Sequence, residues 1–354
     1  MKVRRLGYIV VLTDILKSAS LSSSVLINSI RKWSAHNRES LCSYSSDLPI
    51  IRRQGEATVG EITKEDSAKR YLHTAADMGF ITRIPQKWQN TKSGNILQAA
   101  PPDQNPFALT MEQTFLILKQ LLMTDLDYLN GVYEATRRES SPDDELAYFR
   151  RTVRDLLSKK LRMGRSTRAR ASINKASKQI CKWKKPLEYY SENLRAPRLE
   201  WLADLRLVTM WDQISGRVEY RPGADLLLDE NMMTNDYVEA EYPRRFYKCY
   251  RDYFKEGVTE WRSFTEKERS GRLAYLLRMA GRLFSIPMIP KKFSADQFFT
   301  FSTCRLLTQE NILASRPEVE SDLVALTVKG ALPYRYVRMI SDTDTGYVVE
   351  THIT

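Results

Sequence analysis

The chain has 354 residues, 42% hydrophobic and 28% charged, and Lys plus Arg exceed Asp plus Glu by 55 to 43, a net +12 at pH 7. That length calls for two or three domains, and the charge favours polyanionic partners without specifying a fold. Four scattered cysteines (Cys42, Cys181, Cys249, Cys304), no CxxC pair and three isolated histidines argue against a zinc finger or an iron–sulfur site, and no run has the ~18 apolar residues of a membrane helix.

The start, basic over Met1–Arg5 and apolar over Leu6–Leu12, imitates a signal peptide, but Thr13, Asp14 and Lys17 cut the apolar run short. It reads better as a packed first element of a soluble, cytoplasmic protein whose thiols stay reduced. Residues 6–34 suggest two helices around the serines 18, 20 and 22–24. Thr63–Met78 reads as a helix capped by Thr63 and ended at Asp77-Met78-Gly79. Residues 80–97 read as a strand, a polar loop holding Asn90, Lys92, Ser93 and Gly94, and a returning strand. Thr110–Arg138 is amphipathic, with Phe115, Leu118, Leu122, Leu126 and Leu129 near helical spacing. Asp143–Tyr190 is helical and increasingly basic; Pro197–Leu205 is a short helix before a hairpin, Leu207–Met210 and Arg217–Arg221. Residues 244–285 are helical and rich in aromatics, which reads as packing between units, and Pro287 and Pro290 break the chain before a last hairpin, Tyr334–Ile340 and Tyr347–His352.

Two segments repeat. Tyr71-Leu72-His73-Thr74-Ala75-Ala76-Asp77-Met78-Gly79-Phe80-Ile81-Thr82 aligns with Arg198-Leu199-Glu200-Trp201-Leu202-Ala203-Asp204-Leu205-Arg206-Leu207-Val208-Thr209. In each an amphipathic helix ends, the chain turns within one or two residues and an apolar strand begins. Arg206 stands where the first copy has Gly79, so the second turn must accommodate a side chain. The order helix–strand–loop–strand–helix resembles the winged-helix family over residues 20–135 and 175–235, and the pairing is similar to the tandem recognition regions of some restriction and anti-phage proteins. The implied fold is mainly α with small β-hairpins (α+β): a first winged-helix domain at 1–138, a basic helical connector at 139–190, a second such domain with a helical extension at 191–286, and a C-terminal domain at 287–354. The last hairpin has the form of a third wing behind a helix within Val319–Val328, without a matching repeat.

The resemblance implies that Lys64, Ser67, Lys69, Arg70, His73 and Thr74 face a major groove in the first unit, and Arg195, Arg198 and Glu200 in the second. Wing contacts would come from Arg83, Lys87, Lys92, Arg217 and Arg221. For each residue the competing reading is a solvated helix face. The connector adds a different signal: Lys159, Lys160, Arg162, Arg165, Arg168, Arg170, Lys175, Lys178, Lys182, Lys184 and Lys185 occur with no acidic residue among them. This run of cations suits phosphate tracking, with Trp183 as a candidate stacking ring, and the competing reading is a basic linker without a ligand.

No phosphate-binding Gly-rich loop, metal-ligand spacing or nuclease-like carboxylate–lysine cluster is present, Asp143-Asp144 reads as a helix cap, and Asp236, Glu239 and Glu241 as a solvated face. The expectation is a non-enzymatic protein without cofactor or metal that binds double-stranded DNA, or RNA, as a recognition or adaptor subunit of a defence, plasmid or mobile-element complex. The alternative is a scaffold whose winged helices bind other subunits.

Overall fold

The computed structural model describes residues 3–17, 19–51, 60–138, 142–163, 173–178, 180, 187–285, 292–341 and 344–350. These residues are mainly helical, with small sheets of two or three strands. No described helix is long and apolar enough to cross a membrane.

The first bundle contains α1 (Gly7–Ile15), β1 (Leu21–Ser22), α2 (Ser23–His36), α3 (Arg38–Asp47), β2 (Ile50–Ile51), α4 (Glu65–Asp77), β3 (Ile81–Ile84), β4 (Lys87–Asn90) and α5 (Lys92–Ala99). Helices α1, α2 and α4 pack on one another, and β1, β3 and β4 form one antiparallel sheet in the order β1-β4-β3. The apolar run at the start is therefore a core helix, with Leu6, Tyr8, Ile9 and Leu12 fully buried. Two local expectations change. Lys64, not Thr63, occupies the cap position of α4 and makes no side-chain cap; the backbone carbonyl of Thr63 instead accepts from Arg31 Nη2 at 3.1 Å. The hairpin turns at Pro85-Gln86, and Lys92 opens a helix instead of lying in a wing loop. Thr91 caps that helix, its hydroxyl accepting from Gly94 N, and a Cβ on Gly94 would stand 2.0 Å from the Phe80 carbonyl oxygen. Only glycine lets α5 lie against the end of the α4 turn.

Helices α6 (Met111–Thr124) and α7 (Leu126–Arg137), divided at Asp125, lead to α8 (Pro142–Met163), which packs along α7. A short helix α9 (173–178), α10 (Leu187–Tyr190) and a π-helical turn, Ser191–Arg195, precede α11 (Ala196–Asp204) and the hairpin of β5 (Val208–Asp212) and β6 (Val218–Tyr220). The other edge of β5 takes β2 of the first bundle in parallel, Ile50 opposite Trp211. A strand from one bundle thus completes the sheet of the next.

Helix α12 (Asn235–Cys249) packs on α6, with Tyr242, Phe246 and Tyr250 buried, so these aromatics form an internal seam. Glu239 is not on a solvated face: it pairs with Lys119 at 2.9 Å. Short β7 (Thr259–Glu260) pairs with β9 (Ile312–Leu313). The third bundle comprises α13 (Glu266–Phe284), β8 (Lys292–Ser294), α14 (Ala295–Glu310), α15 (Arg316–Val328), β10 (Tyr334–Ser341) and β11 (Asp344–Glu350). Its sheet has the order β10-β11-β8, the same connectivity as the first.

The repeated segments share one helix ending. Phe80 N donates to Ala75 O at 2.9 Å across Gly79, and Leu207 N to Leu202 O at 2.7 Å across Arg206. A third copy exists where none was expected: Ala331 N donates to Leu326 O at 3.0 Å across Gly330. All three pivots lie in the left-handed region, with φ of 75°, 57° and 65°. This is the arrangement that satisfies the last carbonyls of a helix while reversing the chain. Leu72, Leu199 and Leu323 stand at the same offset before the turn and are all buried, each contributing ~1.5–3 kcal/mol of apolar transfer.

Candidate nucleic-acid interface

The three copies differ in what their helices present to solvent. On α4, Ala68, Tyr71, Leu72 and Ala75 face the core, and Lys64, Glu65, Asp66, Lys69, Arg70, His73 and Asp77 face outward. Thr74, expected among the outward residues, is buried, one step round the helix from His73. The His73 ring meets Trp88 edge-on at 6.2 Å, and Trp88 Nε1 donates to Ser23 Oγ at 2.9 Å. The hairpin is thereby tied to both α4 and the start of α2. Arg83 and Lys87 are exposed on the hairpin arms beside the turn.

Charge on this surface is mixed. Lys69 pairs with Glu65 at 2.7 Å and stands 3.9 Å from Asp66, an exposed arrangement worth little to stability. Arg70 lies between Asp66 and Asp77 on the outward stripe. Burial raises the Asp77 carboxyl above its ordinary range, and the neighbouring His73 opposes the shift. Three cations on the helix therefore meet three carboxylates, and the excess positive charge comes from Arg83 and Lys87. The outer face of α4 is therefore close to electrically balanced, with its positive excess on the hairpin beside it.

Helix α11 corrects the expectation for the second copy. Every residue from Pro197 to Asp204 is buried. Arg198 makes a two-pronged bond to Asp125, Nε to Oδ2 at 2.8 Å and Nη2 to Oδ1 at 2.7 Å, with its guanidinium 4.8 Å from the Tyr128 ring. Arg195 is held by Glu145 at 2.6 Å and by the Gly216 carbonyl at 2.9 Å. Glu200 and Asp204 receive the N-terminal segment. Arg4 reaches Glu200 at 2.6 Å, Arg5 reaches Glu200 at 3.2 Å and Asp204 at 3.0 Å, and Leu6 N donates to Asp204 at 2.7 Å. Tyr44 also donates to Asp204 at 3.1 Å, and Trp201 Nε1 to the Val3 carbonyl at 3.0 Å. Burial pushes the Asp204 carboxyl up to about 6, against the pull of Arg5. Burial works against the Arg5 charge, but Asp204 and Glu200 outweigh it and hold the guanidinium more firmly protonated than usual. Since α11 is spent on joining the first two bundles, only Arg217 of the second-copy candidates is exposed, beside Glu219 at 2.7 Å. Arg221 lies against Tyr250 and Tyr253 and pairs with Asp252 at 2.6 Å.

On α15 the acidic side chains are engaged inward: Glu318 with Arg262 at 2.9 Å, Asp322 with Arg269 at 2.9 Å and Trp261 at 2.6 Å, Glu320 with Tyr336 at 3.0 Å. Its outward stripe is Pro317, Ser321, Val324, Ala325 and Val328, the last 82% exposed. No cation lies on that stripe within α15, and Lys329 just past its end pairs with Glu266 at 2.7 Å, which does not suit a polyanion.

The basic block divides. Lys160 is paired with Asp127, and Lys159 with Glu230 at 2.5 Å, so the first two cations are engaged within the protein. Arg162, Lys175 and Lys178 are exposed, as is Lys92 at the start of α5. Arg165, Arg168, Arg170, Lys182, Lys184, Lys185 and Trp183 lie outside the described residues. Sequence reasoning missed Arg151 and Arg154, exposed on α8 before the acid-free run begins.

Among the described residues no group of three His, Cys, Asp or Glu side chains is placed to hold a metal. A shallow groove of about 390 Å³ is lined by Gly271, Arg272, Tyr275, Arg305, Gln309 and Glu310. Its charges are matched internally, Arg272 to Glu310 at 2.7 Å and Arg305 to Glu112 at 3.8 Å. No protein-family model, no curated protein and no solved structure matches the chain.

Proposed function

We propose that the chain is a non-catalytic protein that binds double-stranded DNA through its first bundle, as the recognition or adaptor subunit of a larger assembly. The observation that carries this reading is the connectivity of that bundle. Its elements run helix, strand, helix, helix, strand, strand, with α3 and β2 inserted before the third helix, and the sheet order is β1-β4-β3. This order resembles that of the winged-helix family, which supports reading α4 as the helix offered to a major groove and β3–β4 as the wing. In support, α4 is open to solvent over its whole outer face, with Arg70 and His73 at its middle and Arg83 and Lys87 beside it.

The third bundle repeats the connectivity with an apolar outer stripe, which favours a second reading, a scaffold whose winged helices contact other proteins. Titration of duplex DNA, single strands and structured RNA across a salt series separates the two. The first reading expects tight, salt-sensitive binding with a duplex preference. Absence of duplex binding at micromolar concentration and low salt would leave the scaffold reading standing.

A further inference from the structure

We infer that the outer face of α8 is a second nucleic-acid contact, a sequence-independent site for duplex phosphates distinct from α4. The inference rests on the duplex-binding reading. On α8, Leu146, Phe149, Val153, Leu156 and Leu157 are buried, which fixes the helix's rotation. At about 100° per residue, Arg151, Arg154, Ser158 and Arg162 fall within roughly 80° of one another on the opposite side. All four are exposed. No described carboxylate pairs with Arg151 or Arg162, and Arg154 meets only its neighbour Asp155, at 3.7 Å and exposed. The run from Arg151 to Arg162 rises about 16 Å, and one DNA strand carries a phosphate every ~3.4 Å of axis.

The balance on α4 favours a further source of attraction: Lys64, Lys69 and Arg70 are offset by Glu65, Asp66 and Asp77, which leaves Arg83 and Lys87, whereas on α8 Arg151, Arg154 and Arg162 outnumber the exposed Asp144 and Asp155. Two jobs that one basic helix often combines are here divided, with discrimination on α4 and backbone affinity on α8. The divided arrangement also explains why Lys159 and Lys160, lying off the stripe, are consumed by Glu230 and Asp127.

The test compares the full-length chain with Arg151→Ala/Arg154→Ala/Arg162→Ala and with Arg70→Ala, using random-sequence duplex DNA and duplexes selected for binding from a random pool, over a range of KCl concentrations. The triple variant is expected to lower affinity for every duplex alike and to reduce the slope of log K against log salt by about 2–3. Arg70→Ala is expected to weaken selected duplexes more than random ones. Exposed positions on α8 should leave Tm unchanged, which separates a binding loss from misfolding. A triple variant with wild-type slope and affinity, beside an impaired Arg70→Ala, overturns the α8 site and leaves the duplex reading intact. A slope loss seen equally on single strands, with no duplex preference in the wild type, supports the phosphate site and overturns the duplex reading. A wild-type chain that binds neither overturns both.

Discussion

Helices α4 and α11 end in the same turn, release the same kind of hairpin and bury a leucine at the same offset, Leu72 and Leu199. Their polar residues have opposite fates. On α4 they face solvent, and on α11 Arg198, Glu200 and Asp204 are no more than 4% exposed. The difference lies in what covers them. Nothing described packs over the outer face of α4, whereas Arg4, Arg5 and Tyr44 from the first bundle, and Asp125 before α7, close over α11. A repeated supersecondary unit thus fixes a local geometry and leaves its use open: one copy stays free for a ligand while another becomes the joint that holds the bundles together.

Breaking the joint should have the largest effect. Asp204→Ala leaves Arg5 without one of its two buried carboxylates and Tyr44 and Leu6 N without an acceptor, and it should cost ~3–5 kcal/mol in chemical denaturation. An equally large loss from Arg70→Ala would abolish the contrast between the two helices, since α4's outer residues are expected to leave Tm within about 1 °C. The same carboxyl gives a pH signature. Its folded value of about 6 lies above the ordinary 3.8, so the folded state takes up this proton more readily than the unfolded chain. Stability from this group is greatest below the unfolded value and is lost as pH rises through about 6. Wild type should therefore gain stability relative to Asp204→Asn as pH falls from 6.5 toward 4; a constant difference would show that Asp204 does not titrate in that window.

The turn at Gly94 follows in size. Its missing side chain lets α5 meet the Phe80 carbonyl, and Gly94→Ala should cost ~1–3 kcal/mol as the backbone shifts to relieve the clash. Because that carbonyl ends the α4 turn, duplex affinity should fall with stability. Arg70→Ala should act on binding alone, weakening a selected duplex by ~1–3 kcal/mol, about five- to 150-fold, in a fluorescence-anisotropy titration.

The parts of this contrast that were legible in the sequence are local ones. The twelve-residue repeat located both turns, and Arg206 in place of Gly79 correctly required a side chain in the second pivot. The third copy was also in view, since Leu323 and Gly330 keep the spacing of Leu72 and Gly79, but Lys329 and Ala331 stand where the first two copies carry large apolar residues, Met78 and Leu205, Phe80 and Leu207. Lys92 is hard to place from sequence because Asn90, Ser93 and Gly94 have a loop composition, while the signal that a helix starts there is the hydroxyl of Thr91, which caps it. The burial of α11 was not legible. Its ionic partners Arg4, Arg5 and Asp125 are remote in sequence, and periodicity reports a polar position without reporting what covers it. The same blindness hid the α8 face: a search for acid-free runs begins at Lys159 and passes over Arg151 and Arg154, whose common orientation depends on where the helix buries its leucines.

The smallest effect sharpens the comparison at its most conserved geometry. Gly79 and Arg206 hold the same left-handed pivot, at φ of 75° and 57°. A non-glycine residue there costs ~1–2 kcal/mol in backbone strain. Arg206 offsets part of that strain through its side chain, donating to the Leu109 carbonyl at 3.3 Å and lying 5.2 Å from the Tyr253 ring. Arg206→Gly relieves the backbone and removes both contacts, so its net change should stay within about 1 kcal/mol in thermal denaturation. Arg206→Ala keeps the strain and loses the contacts, and should be the less stable of the two. The reverse order would mean that a Cβ at this pivot carries no strain for glycine to relieve, in which case the difference between Gly79 and Arg206 carries no structural information.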